Sequence, residues 1–227
     1  MKAKKVFYRL GYDFILMLIY LITIFLFRLR VRGKENIPED IKKVVIVSSH
    51  TTYWDPPLVG LIMGPTRQVH FIARKGLLRN PVFAVPVRTY STTINRDNFG
   101  KEDLLKMLRV FQSDDLLCIF PEGTTQDGVE PKSGTVRLAE KSNRTFLPMK
   151  IELSRSPLQF PFLFAPVNVV IGKPITFPEL KEMAVEKRAR SGEEMTIGEG
   201  PNGGTNYQRL ARVLMEHIND LPGGEKG

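Results

Sequence analysis

Val44-Val45-Ile46-Val47-Ser48-Ser49-His50-Thr51-Thr52-Tyr53-Trp54-Asp55-Pro56-Pro57 is the stretch from which the fold is read. The run Val44–Val47 is short, apolar and β-branched, as a buried strand is. Asp55-Pro56-Pro57 reads as a helix start, with Asp55 at the N-cap and Pro56 at the first helical position. A His thus falls just past a strand end, and an Asp falls at a helix N-terminus five residues later. Strand-to-helix loops are where α/β sheets usually place reactive groups. One His and one Asp at this spacing also arise by chance, so the rest of the chain has to support them. Tyr53 and Trp54, between the two, read as packing.

Outward from this stretch, strand and helix signals alternate. Leu58 to Met63 continues the helix, and Gly64-Pro65 stops it. Val69 to Ala73 reads as a strand running into Arg74-Lys75-Gly76. Asn80-Pro81 opens a short helix or turn, and Ser91 to Ile94 is β-rich, ending in Asn95-Arg96-Asp97. Lys101 to Gln112 has the clearest helical period, with Leu104, Leu105, Leu108 and Phe111 on one side. Leu116 to Phe120 is a buried strand that runs into Pro121-Glu122-Gly123-Thr124. A helix over about 133–141 and strands over 146–151 and 167–171 follow. The apolar Phe160-Pro161-Phe162-Leu163-Phe164 is either a strand start or a lipid-facing surface. Residues 181–206, charged and then Gly-rich, read as flexible. Tyr207 to Leu221 reads as a closing amphipathic helix. The alternation argues an α/β fold with helices against a central sheet.

The 227 residues suffice for one good-sized core. A net charge of +9 predicts attraction to something anionic. Nucleic acid is disfavoured, because no zinc-finger, RNP or KH signature occurs. The single Cys118 excludes an intrachain disulfide and, in its apolar strand, reads as a small hydrophobe. Phe14 to Phe27 is apolar apart from Thr23 and spans 14 residues. A crossing helix needs about 20. Lys2, Lys4, Lys5 and Arg9 precede it, and Arg28, Arg30, Arg32 and Lys34 follow it. Cations on both flanks suggest that both ends stay at the cytoplasmic face. Residues 3–32 therefore read as a helical hairpin or shallow helix held in one leaflet, with a tilted span as the alternative. This gives a membrane-anchoring segment over 1–32, a second domain over 33–227, and a monotopic protein on the cytoplasmic face of the cell membrane.

His50, His70 and His217 are scattered, and no HExxH or CxxC occurs, so no metal site is expected. Gly198-x-Gly200-x-x-Gly203 lacks a preceding strand and reads as a linker. There is no GxSxG elbow, and the one Cys lies in a core strand. A His–Asp pair with no protein nucleophile requires the substrate to bring one. That is triad logic with the serine replaced by an alcohol, and acyl transfer to the alcohol is the natural reaction class.

Four pieces in this order resemble the glycerolipid acyltransferase family, PlsC-like proteins whose central activity acts on 1-acylglycerol 3-phosphate. The H-x4-D box is matched by His50 and Asp55. A block ending in Arg after a strand is matched by Thr93-Ile94-Asn95-Arg96, and F-P-E-G-T by Phe120 to Thr124. A strand with a central Pro is matched by Phe146-Leu147-Pro148-Met149, and Ile171-Gly172-Lys173-Pro174-Ile175 is similar to a later strand-turn. The likeness covers about 33–180. Ser49, Asn95 and Thr125-Gln126 depart from the usual Asn, Asp and Arg-Ser, which bears on the acceptor more than on the reaction class.

The resemblance implies a central mixed sheet flanked by helices. It implies transfer of an acyl chain from a thioester, on coenzyme A or acyl carrier protein, to the sn-2 hydroxyl of lysophosphatidic acid, without a cofactor. His50 would be the base and Asp55 its orienting partner. Arg96 would bind the acceptor phosphate, and Glu122, Gly123 and Thr124 would shape the acceptor pocket. Lys75 and Lys132 are further candidates for anion contacts. The rival readings are another acceptor (glycerol 3-phosphate or a lyso-aminolipid), a thioesterase, and a non-enzymatic membrane lipid-binding protein.

Overall fold

The computed structural model describes residues 14–15, 17–18, 20–23, 26–50, 52–122, 130–154, 164–191 and 206–223. Among these residues, seven strands form one sheet: β1 Phe27–Arg32, β2 Val44–Ser48, β3 Val69–Arg74, β4 Ser91–Ile94, β5 Leu116–Ile119, β6 Thr145–Leu153 and β7 Ala165–Ile171. Their spatial order is β1-β7-β6-β2-β5-β3-β4. From β6 to β4 all neighbours are parallel. β7 runs antiparallel to β6, and β1 runs parallel to β7. The sheet is mixed and flanked by helices, the architecture that the resemblance implies.

The helices are α1 Asp55–Met63, α2 Pro81–Tyr90, α3 Lys101–Gln112, α4 Gly134–Lys141, α5 Phe177–Ser191 and α6 Tyr207–Asn219. Period-two alternation sends side chains of β2 to both faces. Val45 and Val47 pack with Phe111 of α3, Ala139 of α4, Leu180 of α5 and Leu214 of α6. Val44 and Ile46 pack with Leu58, Val59 and Met63 of α1 on the other face. A strand covered on both sides reads as a continuous apolar run, which is why Val44–Val47 was legible.

Two expectations are corrected. Residues 27–32 are not part of a membrane helix: Phe27–Arg32 is an edge strand paired residue for residue with β7. Its Arg-Leu-Arg-Val-Arg alternation leaves Arg28, Arg30 and Arg32 exposed and Leu29 and Val31 half-buried. The sheet thus begins inside the segment assigned to the anchor. Gly33 closes this strand in a left-handed conformation (φ 76°) where a Cβ would collide with the Ile171 carbonyl oxygen. The second correction is α5, which occupies the start of the stretch read as flexible. Residues 192–205 and 155–163, with the Gly198–Gly203 motif and most of the apolar loop, lie outside the described residues.

Before β1, every described residue from 14 to 26 is helical; Ile15 packs on Tyr90 of α2 and Leu26 joins the core on the α1 face. Among the described residues, no helix is long and apolar enough to cross a membrane.

Candidate active site

Parallel strands bring their C-terminal ends to one edge of the sheet. The register Val47↔Ile119 sets the ends of β2 and β5 side by side, so the chains that leave them meet. His50 leaves β2 and Glu122 leaves β5. The His50 backbone N–H donates to Glu122 Oε2 at 3.2 Å. The His50 ring stacks on Phe120, with centroids 4.3 Å apart and planes at 27°. One flank of the imidazole is thereby fixed by the same segment that supplies the carboxylate.

Asp55 fixes the other. Its side chain is fully buried, and Oδ2 lies 2.9 Å from His50 Nδ1. Thr52 donates its N–H to Oδ2 at 2.8 Å and its hydroxyl to Oδ1 at 2.8 Å. The same hydroxyl accepts the Trp54 N–H at 3.2 Å. The Asp55 carboxylate can only accept, so it takes a hydrogen bond from Nδ1–H. Nε2 then carries the lone pair. Among the described residues, none is hydrogen-bonded to Nε2, and the His50 side chain keeps 16% of its exposure.

Asp55 is the first residue of α1 rather than its N-cap, which is Trp54. Its carboxylate does not cap the helix but turns back to Thr52 and His50, and the prolines that follow it have no N–H to satisfy. Thr52 escaped sequence reasoning, although a Thr three residues before an Asp in a turn is the available sign. Trp54 packs edge-on against Phe27 with centroids 5.1 Å apart, which ties the start of β1 to this loop. Tyr53 does not pack as expected: it is 65% exposed, and among the described residues its ring stacks on Phe83 of α2.

The other candidates lie along the same edge. Lys132 donates its backbone N–H to the Pro121 carbonyl at 3.0 Å, which puts it beside Glu122 with its side chain exposed. Lys75 leaves the end of β3, also exposed. Arg96 leaves β4, three strands from β2 and hence roughly 14 Å away at the usual strand spacing. Burial, and then the neighbouring Arg74 guanidinium, pull the Arg96 side chain below its usual arginine value. Arg74 itself is held by both carboxylate oxygens of Asp97, at 2.9 and 2.7 Å. The loop before Arg96 is fastened to α3: Asp103 accepts the Asn95 N–H at 3.2 Å and the Gly100 N–H at 3.3 Å. His50, Asp55 and Glu122 are thus brought together, Lys132 adjoins them, and Lys75 and Arg96 share their edge at a distance. Gly123 and Thr124 lie outside the described residues.

Among the described residues, no nucleophile joins the pair. Cys118 is buried in β5, and burial followed by the Asp55 charge pushes its thiol well above its ordinary value. His70 bonds Thr92 across β3 and β4 at 2.9 Å, away from the site.

This arrangement, a histidine oriented by a buried aspartate beside a strand-end glutamate, sits inside a recognisable sequence block. A family profile described as acyltransferase matches residues 28–152, more than half of the chain. The chain belongs to the acyltransferase family. All four of its quoted blocks, from His50 to Met149, fall inside that match. The chain is 26% identical over 153 residues to the 1-acyl-sn-glycerol-3-phosphate acyltransferase of Streptococcus pneumoniae (strain ATCC BAA-255 / R6). That alignment covers 66% of this chain and 56% of that protein, so the chain spans little more than half the relative's length. Its fold is similar to the crystal structure of the 1-acyl-sn-glycerophosphate (LPA) acyltransferase PlsC from Thermotoga maritima, with a TM-score of 0.57 at 19% identity. The match covers 86% of this chain and 72% of that one.

Proposed function

We propose that this acyltransferase moves an acyl chain from a thioester to the sn-2 hydroxyl of 1-acylglycerol 3-phosphate, with His50 as general base. The observation that carries the reading is the pairing of Asp55 with Nδ1, which leaves Nε2 basic at an edge where no protein nucleophile is present among the described residues. Nε2 takes the hydroxyl proton of the acceptor as its oxygen attacks the thioester carbonyl. The new C–O ester bond forms, the C–S bond breaks, and the leaving thiolate recovers the proton from the imidazolium. The Asp55 carboxylate stabilises that imidazolium and fixes the tautomer.

Arg96 is the phosphate partner in this reading. A guanidinium that is partly desolvated beside another cation gains from a bound dianion more than a solvated one does. Its planar fork suits bidentate phosphate contact. Glu122 acts first by holding the His50 backbone, and Lys132 and Lys75 add positive potential along the edge. The donor is coenzyme A or acyl carrier protein, and the reaction takes place at the cytoplasmic face of a membrane. The names of the relatives support this acceptor, and the geometry supports the chemistry.

The test is acyl transfer by the purified full chain in mixed micelles with labelled lysophosphatidic acid and both thioester donors in parallel. Phosphatidic acid is the expected product. Transfer to glycerol 3-phosphate or a lyso-aminolipid instead, or release of free fatty acid alone, overturns the acceptor assignment.

A further inference from the structure

Of the exposed large apolar residues, Phe14, Met17, Leu18, Tyr20 and Leu21 precede β1, Val85 lies on α2, Leu104 and Leu105 lie on α3, and the other three are aromatic rings on connections between secondary-structure elements. Tyr53 is 65% exposed on the loop after β2, Phe99 48% exposed after β4, and Phe164 57% exposed immediately before β7. Because β7 runs antiparallel to β6, its start lies at the edge where β2 and β4 end. Three separate connections therefore each present an aromatic ring at the edge that carries His50. β7 and β4 are five strand spacings apart in the sheet order, roughly 24 Å. At the opposite edge the connections 37–43, 64–68, 113–115, 142–144 and 172–176 present no exposed large hydrophobic residue.

Lys75, Arg79, Lys101 and Lys132 are exposed on connections of the His50 edge. Of the acidic groups there, Asp97 is paired with Arg74 and Glu130 with Arg212, Glu122 accepts the His50 backbone N–H, and Glu102 lies in the first turn of α3.

We propose that this edge of the sheet itself docks onto an anionic bilayer, with Tyr53, Phe99 and Phe164 as three interfacial anchors. The inference deepens the proposed function by stating how the site meets its lipid. Aromatic rings are favoured at the depth of lipid headgroups, and lysines beside them meet anionic phosphates. Rings on three loops, spread over that distance, are touched together by a plane. A small acidic carrier protein would engage one part of the edge and leave the remaining rings in water.

The test uses the full chain. The buried, unreactive Cys118 leaves a clean background for labelling. Tyr53→Cys, Phe99→Cys and Phe164→Cys, with Asp114→Cys at the opposite edge as control, each carry a polarity-sensitive fluorophore. With phosphatidylglycerol–phosphatidylcholine vesicles and no acyl donor, the three edge probes shift to the blue and the control does not. The combined Tyr53→Ser/Phe99→Ser/Phe164→Ser variant binds those vesicles about tenfold more weakly or worse. Silent edge probes, an equal response at residue 114, or a response to soluble acyl carrier protein without lipid would each overturn the proposal. The readout needs no turnover: a chain that docks but transfers nothing contradicts the proposed function alone, and an active chain with silent edge probes contradicts docking alone.

Discussion

Arg144 and Asp55 are buried charges at opposite ends of the same sheet, and they are satisfied differently. Arg144 is 2% exposed, and its five N–H groups all go to backbone carbonyls. Nε donates to Phe111, Nη1 to Val44 and Asp115, and Nη2 to Val110 and Ser113. These carbonyls belong to the end of α3, the turn that follows it and the starts of β2 and β5. Burial pulls the guanidinium down to about 10, with Asp115 and Asp114 opposing, so it stays charged at neutral pH. Asp55 is as well buried, but the imidazole it holds keeps one nitrogen that bonds to none of the described residues. A buried ion whose donors are all used fastens the fold. A buried ion that orients a group with capacity to spare prepares chemistry.

Substitutions separate the two roles. The largest effect on turnover is expected from Asp55→Asn, which keeps shape but presents the wrong hydrogen to Nδ1. Acyl transfer should fall about a hundredfold or more, read from initial rates at saturating acceptor. Arg144→Ala should do the converse. It strands five carbonyls and costs about 3–5 kcal/mol, lowering the thermal midpoint by about 10 °C while activity per folded molecule changes little. Arg144→Lys can serve at most three of the five carbonyls and should fall between. If Arg144→Ala leaves the midpoint alone, the contrast between the two ends fails.

A smaller effect is expected from Asp103, which holds the Asn95 backbone just before Arg96. Asp103→Asn should raise the acceptor KM several-fold and leave kcat nearly unchanged; an equal loss in kcat would place Asp103 elsewhere in the mechanism. The Asn95 N–H above all, helped by the Gly100 N–H and Lys106, holds this carboxyl below its usual value of 3.8, against the opposing effect of burial. A depressed carboxyl contributes above its unfolded pKa and loses that contribution as pH falls through the lower folded one. The wild-type KM should therefore be insensitive to Asp103 titration at neutral pH and rise only below about pH 4.

The two ends also differ in how much of them sequence discloses. β2 and β5 were legible because a strand buried on both faces writes a continuous apolar run, and α3 because of its helical period, although Leu104 and Leu105 of the face read as apolar are each 42% exposed. The H-x4-D spacing was legible because both partners of the His50–Asp55 bond lie in one turn. Arg144 carries no such mark: its partners lie 29 to 100 residues away, brought in by strand order. The bond from His50 to Glu122 spans 72 residues and is hidden for the same reason, although both residues were singled out. β1 was mistaken for the flank of an apolar helix, because three arginines on alternating positions look the same as a cationic cluster until the pairing with β7 is known. α5, Phe177-Pro-Glu-Leu-Lys-Glu-Met-Ala-Val-Glu-Lys-Arg-Ala-Arg-Ser191, buries Leu180 and Ala184 alone among its described side chains and so writes a weak period.

The most direct measurement is a double-mutant cycle on turnover with lysophosphatidic acid and a thioester donor, using His50→Ala, Asp55→Asn and the combined protein, each confirmed as folded. If Asp55 acts only through the histidine it orients, His50→Ala falls by about a hundredfold or more and the combined variant falls no further. Near wild-type transfer by folded His50→Ala, or losses that multiply in the combined variant, would contradict it.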